Sequence, residues 1–429
     1  MKKLFIALFA LAPLAAGAQE KVKTGWNFGP LPAIGYNSDL GFQLGALCDI
    51  YHYGDGSVFP GYRHKFNIEA SYYFKGSGLF HFFYDSKYLI PGKIRLTFAA
   101  SYLPNPIMSF YGFNGAGSPY HRHLDKRDGV AFYSMKRDAT RVLADFSGRI
   151  AGPLHWAFGA SFWNYKIGDV GLKKYEAHAG NSLYNLYRRY GLINDGEASG
   201  GSRVEFKVGL TFDTRDHEAA PSRGVWAEAV VYGSPDMFHR LADYVKVAAH
   251  FRHYIPLAGD RLVAAYHLAY QGTVAGDVPF YMQSNITTPY LRQVHNEGLG
   301  SINTLRGMLY NRIVGDGIAW GNAELRIRVA SFDLIGQQWY VALNPFFDAG
   351  AVVQPFRLER MREIWHDRWI PDEDKALIYS GLDEQFHTSA GLGAKLVMNR
   401  NFIVSVEWAK PFASQDGSSG LNIGLNYIF

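Results

Sequence analysis

The sequence ends in GLNIGLNYIF, Gly420 to Phe429, and large apolar side chains occupy every second position of this stretch. A period of two is the signature of a β-strand with one apolar face. Such a strand must pair with a neighbour and bury its apolar side. The side chains expected on that face are Leu421, Ile423, Leu425, Tyr427 and Phe429.

The same alternation recurs along the chain in runs of 9 to 15 residues. Strands of soluble sandwiches also alternate, but they average only ~5–6 residues. Longer strands with one apolar and one polar face are typical of transmembrane barrels, whose last strand must close onto the first because lipid cannot satisfy an open edge. We therefore predict an all-β fold, a transmembrane antiparallel β-barrel. The runs are RVEFKVGLTFD (203–213), NAELRIRVA (322–330), KFNIEASYY (65–73), FIVSVEWAK (402–410) and WYVALNPFFDAGAVV (339–353).

The amino terminus, MKKLFIALFALAPLAAGAQE, has the pattern of a secretory signal peptide. Lys2 and Lys3 precede an apolar run that is too short to span a bilayer. A small-x-small site predicts cleavage after Ala18. Residues 19–40 are then expected to form a short periplasmic segment, and residues 41–429 to form the barrel.

The amino-acid composition narrows the class of protein to which this chain could belong. Aromatic residues make up 16% of the chain and charged residues 19%, which suits a β protein with aromatic membrane interfaces. A single cysteine, Cys48, excludes an internal disulfide. The net charge of +5 falls to +3 once Lys2 and Lys3 are removed, which is too mild to predict nucleic-acid binding.

Turn-forming clusters divide the predicted barrel into sixteen strands, in which short turns alternate with long loops as in outer-membrane barrels. One short turn is expected at LPNP, residues 103–106, and long loops at 54–61 and 89–92. The longest loop, residues 272–317, is expected between the eleventh and twelfth strands.

Four stretches together resemble the barrel superfamily of bacterial surface antigens that includes BamA, TamA and the two-partner secretion transporters. They fall in the family's order and span about half of the chain. Met308 departs from the family's loop, which usually has an aromatic residue there. The stretches are INTLRGMLYNRIVGDGIAWGNAELR (302–326), FFDAG (346–350), FDTRDHEAAPSRG (212–224) and the closing segment from His387 to Phe429.

The resemblance implies that the 272–317 loop folds into the barrel lumen and carries Arg306 and Gly307 there. Strand alternation places Glu324 and Asp348 inward on adjacent strands, where they could bind the guanidinium. This group could act as a static lock or as a switch. The resemblance also implies a strand–turn motif of Asp213, Arg215, Pro221 and Gly224, and a sorting signal of Leu425, Tyr427 and Phe429.

The function implied by the resemblance is insertion or export of polypeptides at the outer membrane of a Gram-negative cell. Expected partners are outer-membrane lipids and lipopolysaccharide, the assembly machinery, and client polypeptides or lipoproteins. The family usually carries periplasmic domains ahead of the barrel, and only residues 19–40 stand there in this sequence, which favours a passive pore or structural surface protein as the alternative. No cofactor is expected.

An enzyme is disfavoured because no G-x-S-x-G elbow occurs and no nucleophile–base pair can be argued. Two histidine groups could supply metal ligands. His121 and His123 fall in a polar loop, and alternation turns His250 inward but His253 outward, so neither group predicts a metal site.

Overall fold

The computed structural model describes residues 22–429, with gaps at 39, 60, 91–93, 126–130, 174, 176–179, 236–242, 288–297, 301–302, 335–336, 399–401 and 426. The predicted signal peptide and its cleavage site lie outside the described residues.

Sixteen antiparallel strands form one closed barrel in which each strand pairs with its neighbours in sequence and β1 also pairs with β16. The predicted fold class is confirmed. The strands are β1 (Trp26–Asn37), β2 (Gly41–His52), β3 (His64–Tyr73), β4 (Gly78–Ile90), β5 (Ile94–Ser109), β6 (Ser134–Ala151), β7 (Leu154–Gly168), β8 (Gly200–Asp213), β9 (Gly224–Ser234), β10 (Tyr244–Ala258), β11 (Leu262–Gly276), β12 (Gly317–Leu334), β13 (Gln337–Gln354), β14 (His387–Met398), β15 (Phe402–Pro411) and β16 (Gly420–Leu425).

Alternation sets which side chains face the lumen. On β8, Arg203 and Glu205 are buried inside the barrel, whereas Phe206 and Val208 are 44% and 59% exposed on the outer wall. An apolar outer wall and a polar interior are what a lipid-embedded barrel requires. No helix among the described residues has the length and apolarity to cross a bilayer.

The two ends of the barrel differ. One end, here called the long-loop end, carries the connections 110–133, 169–199, 277–316 and 355–386. The opposite end, here called the short-turn end, carries the start of β1, the end of β16 and mostly tight connections, such as 259–261 between β10 and β11.

Two predicted boundaries were wrong. One error missed the first strand and the other divided β5 into two strands, so the predicted number of strands was still sixteen. The first strand begins at Trp26, inside the segment 19–40 that was predicted to precede the barrel. Its sequence, WNFGPLPAIGYN, has two prolines and two glycines and no strict apolar alternation, which hid it. The predicted turn at 103–106 lies inside β5, where Pro104 pairs in register with Asp138 and a register shift between Asn105 and Met108 accommodates Pro106.

The corrected strand boundaries also change the end of the barrel at which two predicted long loops lie. The predicted long loop at 54–61 lies on the short-turn end, because β1 adds one strand before it. The predicted loop at 89–92 overlaps the end of β4, which runs to Ile90, and leads into the short connection to β5 at the same end.

The end of the chain also departs from the prediction. The alternation predicts one strand up to Phe429. Instead β16 ends at Leu425, and Tyr427 and Phe429 are only 8% and 9% exposed because they lie inside the barrel. Buried aromatic and charged groups of the inner wall bind them there, as described below.

Helices from two loops close the long-loop end. They are α1 (Leu183–Arg189), α2 (Asp195–Ala198), α3 (Leu358–His366) and α4 (Asp372–Ile378). Their apolar side chains form one buried cluster with residues from opposite walls and from the 277–316 loop, including Tyr187, Phe280, Tyr310 and Phe356. We call this cluster the cap.

Candidate functional site

The connection between β11 and β12, residues 277–316, carries Arg306 into the barrel, where the side chain is 2% exposed. The guanidinium donates from Nε and Nη2 to the two oxygens of Asp348, both at 2.8 Å. Nη1 donates to Glu324 at 3.1 Å and to Glu407 at 3.2 Å. The structure therefore brings together the arginine and both carboxylates named from the sequence, and adds a third.

Gly307 lets the loop approach the wall. Its φ is +82°, and a Cβ at this position would lie 2.6 Å from the backbone of Ala409 on β15. Gly420, at the start of β16, lies against Gly307, since a Cβ added to Gly420 would be 3.0 Å from the Gly307 Cα. Any side chain here would push the loop away from the two closing strands. Met308, the residue that departs from the family pattern, is buried in an apolar cluster with Leu305.

The charges around Arg306 balance. Lys395 on β14 donates to Glu407 at 2.7 Å, and Arg326 on β12 donates from Nε to Glu324 at 2.8 Å. With Arg306 and Asp348, three cations face three carboxylates in a buried network.

Sequence reasoning missed Glu407, Lys395 and Arg326 as members of this network. Alternation in FIVSVEWAK and NAELRIRVA had already placed Glu407 and Arg326 on the polar face of their strands. That signal marks a residue as inward but does not show how far across the lumen the loop reaches. Strand β15 lies two strands beyond β13, so only the folded loop reveals the contact.

The strand–turn motif forms a compact corner at the short-turn end. Arg215 donates from Nε and Nη2 to the carboxylate of Asp213, at 2.9 and 2.7 Å. Its guanidinium lies 3.8 Å from the centroid of the Trp226 ring. Burial works against ionisation of Asp216 in the turn, but hydrogen bonds from Ser222 lower the pKa of its carboxyl below the usual value.

The same turn folds toward the lumen. Gly224 has φ +104°, and a Cβ there would lie 2.4 Å from the carbonyl oxygen of Thr214, which explains the glycine. The carbonyl of Pro221 accepts a hydrogen bond from Nη1 of Arg326 at 3.3 Å. The motif therefore contacts the network that holds the loop.

The last residues of the chain reach the same arginine. Nη2 of Arg326 donates to a main-chain oxygen of Phe429 at 2.7 Å, and its guanidinium lies 4.1 Å from the centroid of the Tyr427 ring. Leu425, by contrast, is 58% exposed on the outer wall. Arg326 thus joins three motifs that the sequence placed far apart: the loop through Glu324, the turn through Pro221, and the chain end.

The seam between the first and last strands is narrow. β1 pairs with β2 from Trp26 to Asn37, but pairs with β16 only where Tyr36 and Asn37 face Ile423 and Asn422. The Ser38 hydroxyl adds a bridge, since it donates to the carbonyl of Leu421 at 3.0 Å and accepts from its amide at 2.8 Å. The remaining described residues of β1 have no strand partner on this edge.

A family model described as the Omp85 superfamily domain matches residues 154–429. The chain belongs to the Omp85 superfamily. The resemblance drawn from the four sequence stretches is confirmed. No curated protein sequence matches this chain.

Two solved structures share the Omp85 barrel fold. BamA from Haemophilus ducreyi lacking POTRA domains 1–3 has 15% sequence identity and a TM-score of 0.59, over 94% of this chain and 71% of that chain. CdiB from Escherichia coli has 11% identity and a TM-score of 0.55, over 94% of this chain and 63% of that chain. At these identities the likeness concerns the fold alone.

The cap closes this Omp85 barrel at the long-loop end. Asn114 exchanges two hydrogen bonds with the backbone of Phe356, at 2.6 and 2.8 Å. The Tyr187 hydroxyl donates to the carbonyl of Ile378 at 3.3 Å. These bonds join loops from opposite sides of the barrel, so the cap and the described part of the 277–316 loop cover the long-loop end.

Proposed function

We propose that this Omp85 barrel resides in an outer membrane and assists the insertion of polypeptides into it through the seam between β1 and β16. The observation that carries the proposal is the seam itself. Apart from Tyr36 and Asn37, the described backbone of β1 has one edge without a strand partner. An open strand edge is a template on which another strand can pair.

The composition of β1 suits a strand that exchanges partners. Pro30 and Pro32 lack backbone N–H groups and, being two residues apart, direct their ring nitrogens to the same edge. Prolines are tolerated at sheet edges because a central strand would lose ladder hydrogen bonds there. In lipid, the remaining unpaired groups are costly, which favours pairing with an incoming strand.

The covered long-loop end and the inserted loop support insertion over export. A polypeptide crossing along the barrel axis would meet the cap and then the loop held by Arg306, whereas the seam opens sideways toward lipid. The same obstruction weighs against a passive pore. We propose a non-catalytic role whose partners are outer-membrane lipids and lipopolysaccharide, the assembly machinery, and client polypeptides or lipoproteins.

A disulfide across the seam tests the proposal. In a Cys48→Ser background, Asn37→Cys and Asn422→Cys would place two thiols on directly opposed residues, whose Cβ atoms lie ~4.5–5.5 Å apart in antiparallel pairs. The matched control is Ala46→Cys with Ala70→Cys across β2 and β3. Both pairs are oxidised in barrels reconstituted in liposomes.

The readout is the rate at which an unfolded barrel protein from the same membrane folds into those liposomes. Oxidation of the seam pair should reduce this rate to that of empty liposomes, and a reductant should restore it. The control pair should not alter the rate. An oxidised seam that assists folding as well as the reduced one would refute the proposal.

A further inference from the structure

A second buried group of charged side chains lies at the long-loop end, distinct from the network around Arg306. Its centre is His387, the first residue of β14, whose side chain is buried. Nδ1 of the imidazole lies 2.8 Å from Oδ2 of Asp416, and Nε2 lies 3.3 Å from Oε1 of Glu384. Both ring nitrogens of one histidine therefore face carboxylate oxygens.

These two contacts define the protonation state of His387. A neutral imidazole carries one N–H group and one lone pair, so it could donate to only one of the two carboxylates. Its other nitrogen would then direct a lone pair at a carboxylate oxygen, and two acceptors repel each other. The doubly protonated ring meets both carboxylates with an N–H group, so the arrangement is that of an imidazolium between two anions.

A second cation faces the same group. Arg312 is buried, and its Nε lies 3.8 Å from Oδ1 of Asp416. The four charged residues come from four different parts of the chain: His387 from β14, Glu384 from the 355–386 connection, Asp416 from the connection between β15 and β16, and Arg312 from the 277–316 loop. Two cations and two carboxylates therefore meet where these segments converge.

Glu384 attaches the group to the 110–133 loop, which contributes side chains to the cap. Its Oε2 accepts a hydrogen bond from the amide of Ala116 at 2.9 Å, and its Oε1 accepts one from the amide of Val352 at 3.0 Å. Gly115 has φ +47°, and a Cβ there would lie 2.6 Å from Oε1 of Glu384 and 2.7 Å from Nε2 of His387. Glycine lets the 110–133 loop approach this closely.

Asp416 attaches the same group to the 277–316 loop. Its backbone carbonyl accepts a hydrogen bond from the amide of Leu309 at 2.9 Å, and the carbonyl of Gln415 accepts one from Nε of Arg312 at 2.8 Å. Nη2 of Arg312 donates to the carbonyl of Ser118 at 2.9 Å. One protonated ring therefore stands between a carboxylate bound to the 110–133 loop and a carboxylate bound to the 277–316 loop.

We propose that His387 is a pH-sensitive latch that clamps the cap to the 277–316 loop and releases it when the ring loses one proton. In the unfolded chain the ring has no fixed carboxylates beside it, and an ordinary imidazole loses its proton near pH ~6.5. The folded site needs that proton to keep both contacts. The latch therefore stabilises the closed cap at low pH, and this stability is lost as the pH rises. The inference does not depend on the proposed insertion function.

Hydrogen–deuterium exchange measured at several pH values tests the latch. Full-length barrels are refolded in detergent, and exchange is followed at 112–118 and 305–312 from about pH 6 to about pH 9, with each rate corrected for the pH dependence of intrinsic amide exchange. Corrected protection of both segments should fall together, by at least about tenfold across this range, which corresponds to a difference of about one unit in proton affinity. Strand amides at 157–163 should keep their protection.

Two variants separate the latch from a purely structural contact. His387→Gln removes the titrating charge, so both segments should be weakly protected at every pH and their pH dependence should disappear. Glu384→Gln removes one of the two anions that favour the protonated ring, so protection should be lost at a lower pH than in wild type. The second variant, with the wild-type profile, tests the latch even if His387→Gln does not fold.

His155→Gln is the matched control, because His155 lies at the short-turn end, where its Nδ1 donates to the carbonyl of Pro153 at 3.1 Å. It should leave the pH profile of both segments unchanged. Wild-type protection that does not vary with pH, or a loss of protection that persists unchanged in His387→Gln, would overturn the latch. Neither result bears on the seam disulfide experiment.

Discussion

Replacing Arg306 with alanine should free the lumen loop without unfolding the barrel. The substitution removes four hydrogen bonds from the guanidinium to buried carboxylates and leaves three carboxylates facing two cations. Breaking one side of a buried ion pair typically costs ~3–5 kcal/mol. Asp348 keeps bonds from the Arg306 amide at 3.0 Å and from Asn322 at 2.9 Å, which favours the lower end of that range.

A loss of about 3 kcal/mol corresponds to about a hundredfold increase in local opening, since about 1.4 kcal/mol is a factor of ten. Hydrogen–deuterium exchange of the amides at 303–308, in refolded protein, would measure this change. Arg306→Lys should recover only part of the protection, because lysine keeps the charge but lacks the fork that binds both oxygens of Asp348. Strand amides should exchange as in wild type.

The double variant Arg306→Ala with Asp348→Ala separates an ion-pair anchor from simple loss of packing. It restores equal numbers of positive and negative groups, so its loop should exchange more slowly than the sum of the two single effects predicts, by about 1–3 kcal/mol of coupling. Strictly additive effects, or wild-type exchange in Arg306→Ala, would refute the anchoring role of the network.

Gly307→Ala should also loosen the loop, because its Cβ would lie 2.6 Å from backbone atoms of β15, whereas Gly259→Ala, at φ +58° but with open space around it, should leave loop exchange unchanged. Replacing 279–314 with a short Gly-Ser linker should raise planar-bilayer conductance above the small, erratic currents expected of the intact barrel; a large steady pore in the intact protein would contradict the obstruction. Phe429→Asp should lower membrane levels in cells far more than refolding yield in vitro, since burial of one ring contributes only ~1.5–3 kcal/mol and the ending is also expected to act as a sorting signal; wild-type levels would remove the sorting role. Mass spectrometry of membrane fractions should find a mature protein that begins at Gln19, and a form retaining Lys2 would argue against the predicted cleavage.

Much of the fold could be read from period-two patterning, because lipid on one side and a polar lumen on the other force strict alternation. Alternation correctly placed Glu324 and Asp348 on the inner face. Alternation failed to locate strand boundaries where prolines interrupt the apolar pattern. β1 has prolines at positions 30 and 32, and Pro106 lies at a register shift within β5 rather than in a turn.

The site was less predictable than the fold. The contact of Arg306 with Asp348 could be expected, because the loop that carries Arg306 leads into β12 and Asp348 lies on the adjacent strand β13. The contacts of Arg306 with Glu407 and of Arg326 with Phe429 span about a hundred residues. No local pattern encodes a distance across the lumen. The inward turn of Tyr427 and Phe429 was missed for a related reason: alternation continues through Phe429 in the sequence, yet both rings lie inside the barrel beside the guanidinium of Arg326.

The cap has a consequence for the order in which the molecule folds. Its hydrogen bonds join residues far apart in sequence, such as Tyr187 to Ile378 and Asn114 to Phe356, with separations of 191 and 242 residues. Contacts between such distant residues form late, because the chain between them must be ordered first. Neighbouring hairpins of the wall can form much earlier. The newly formed barrel would therefore pass through a stage that is open at the long-loop end, and closing the cap would be the last kinetic event of its maturation.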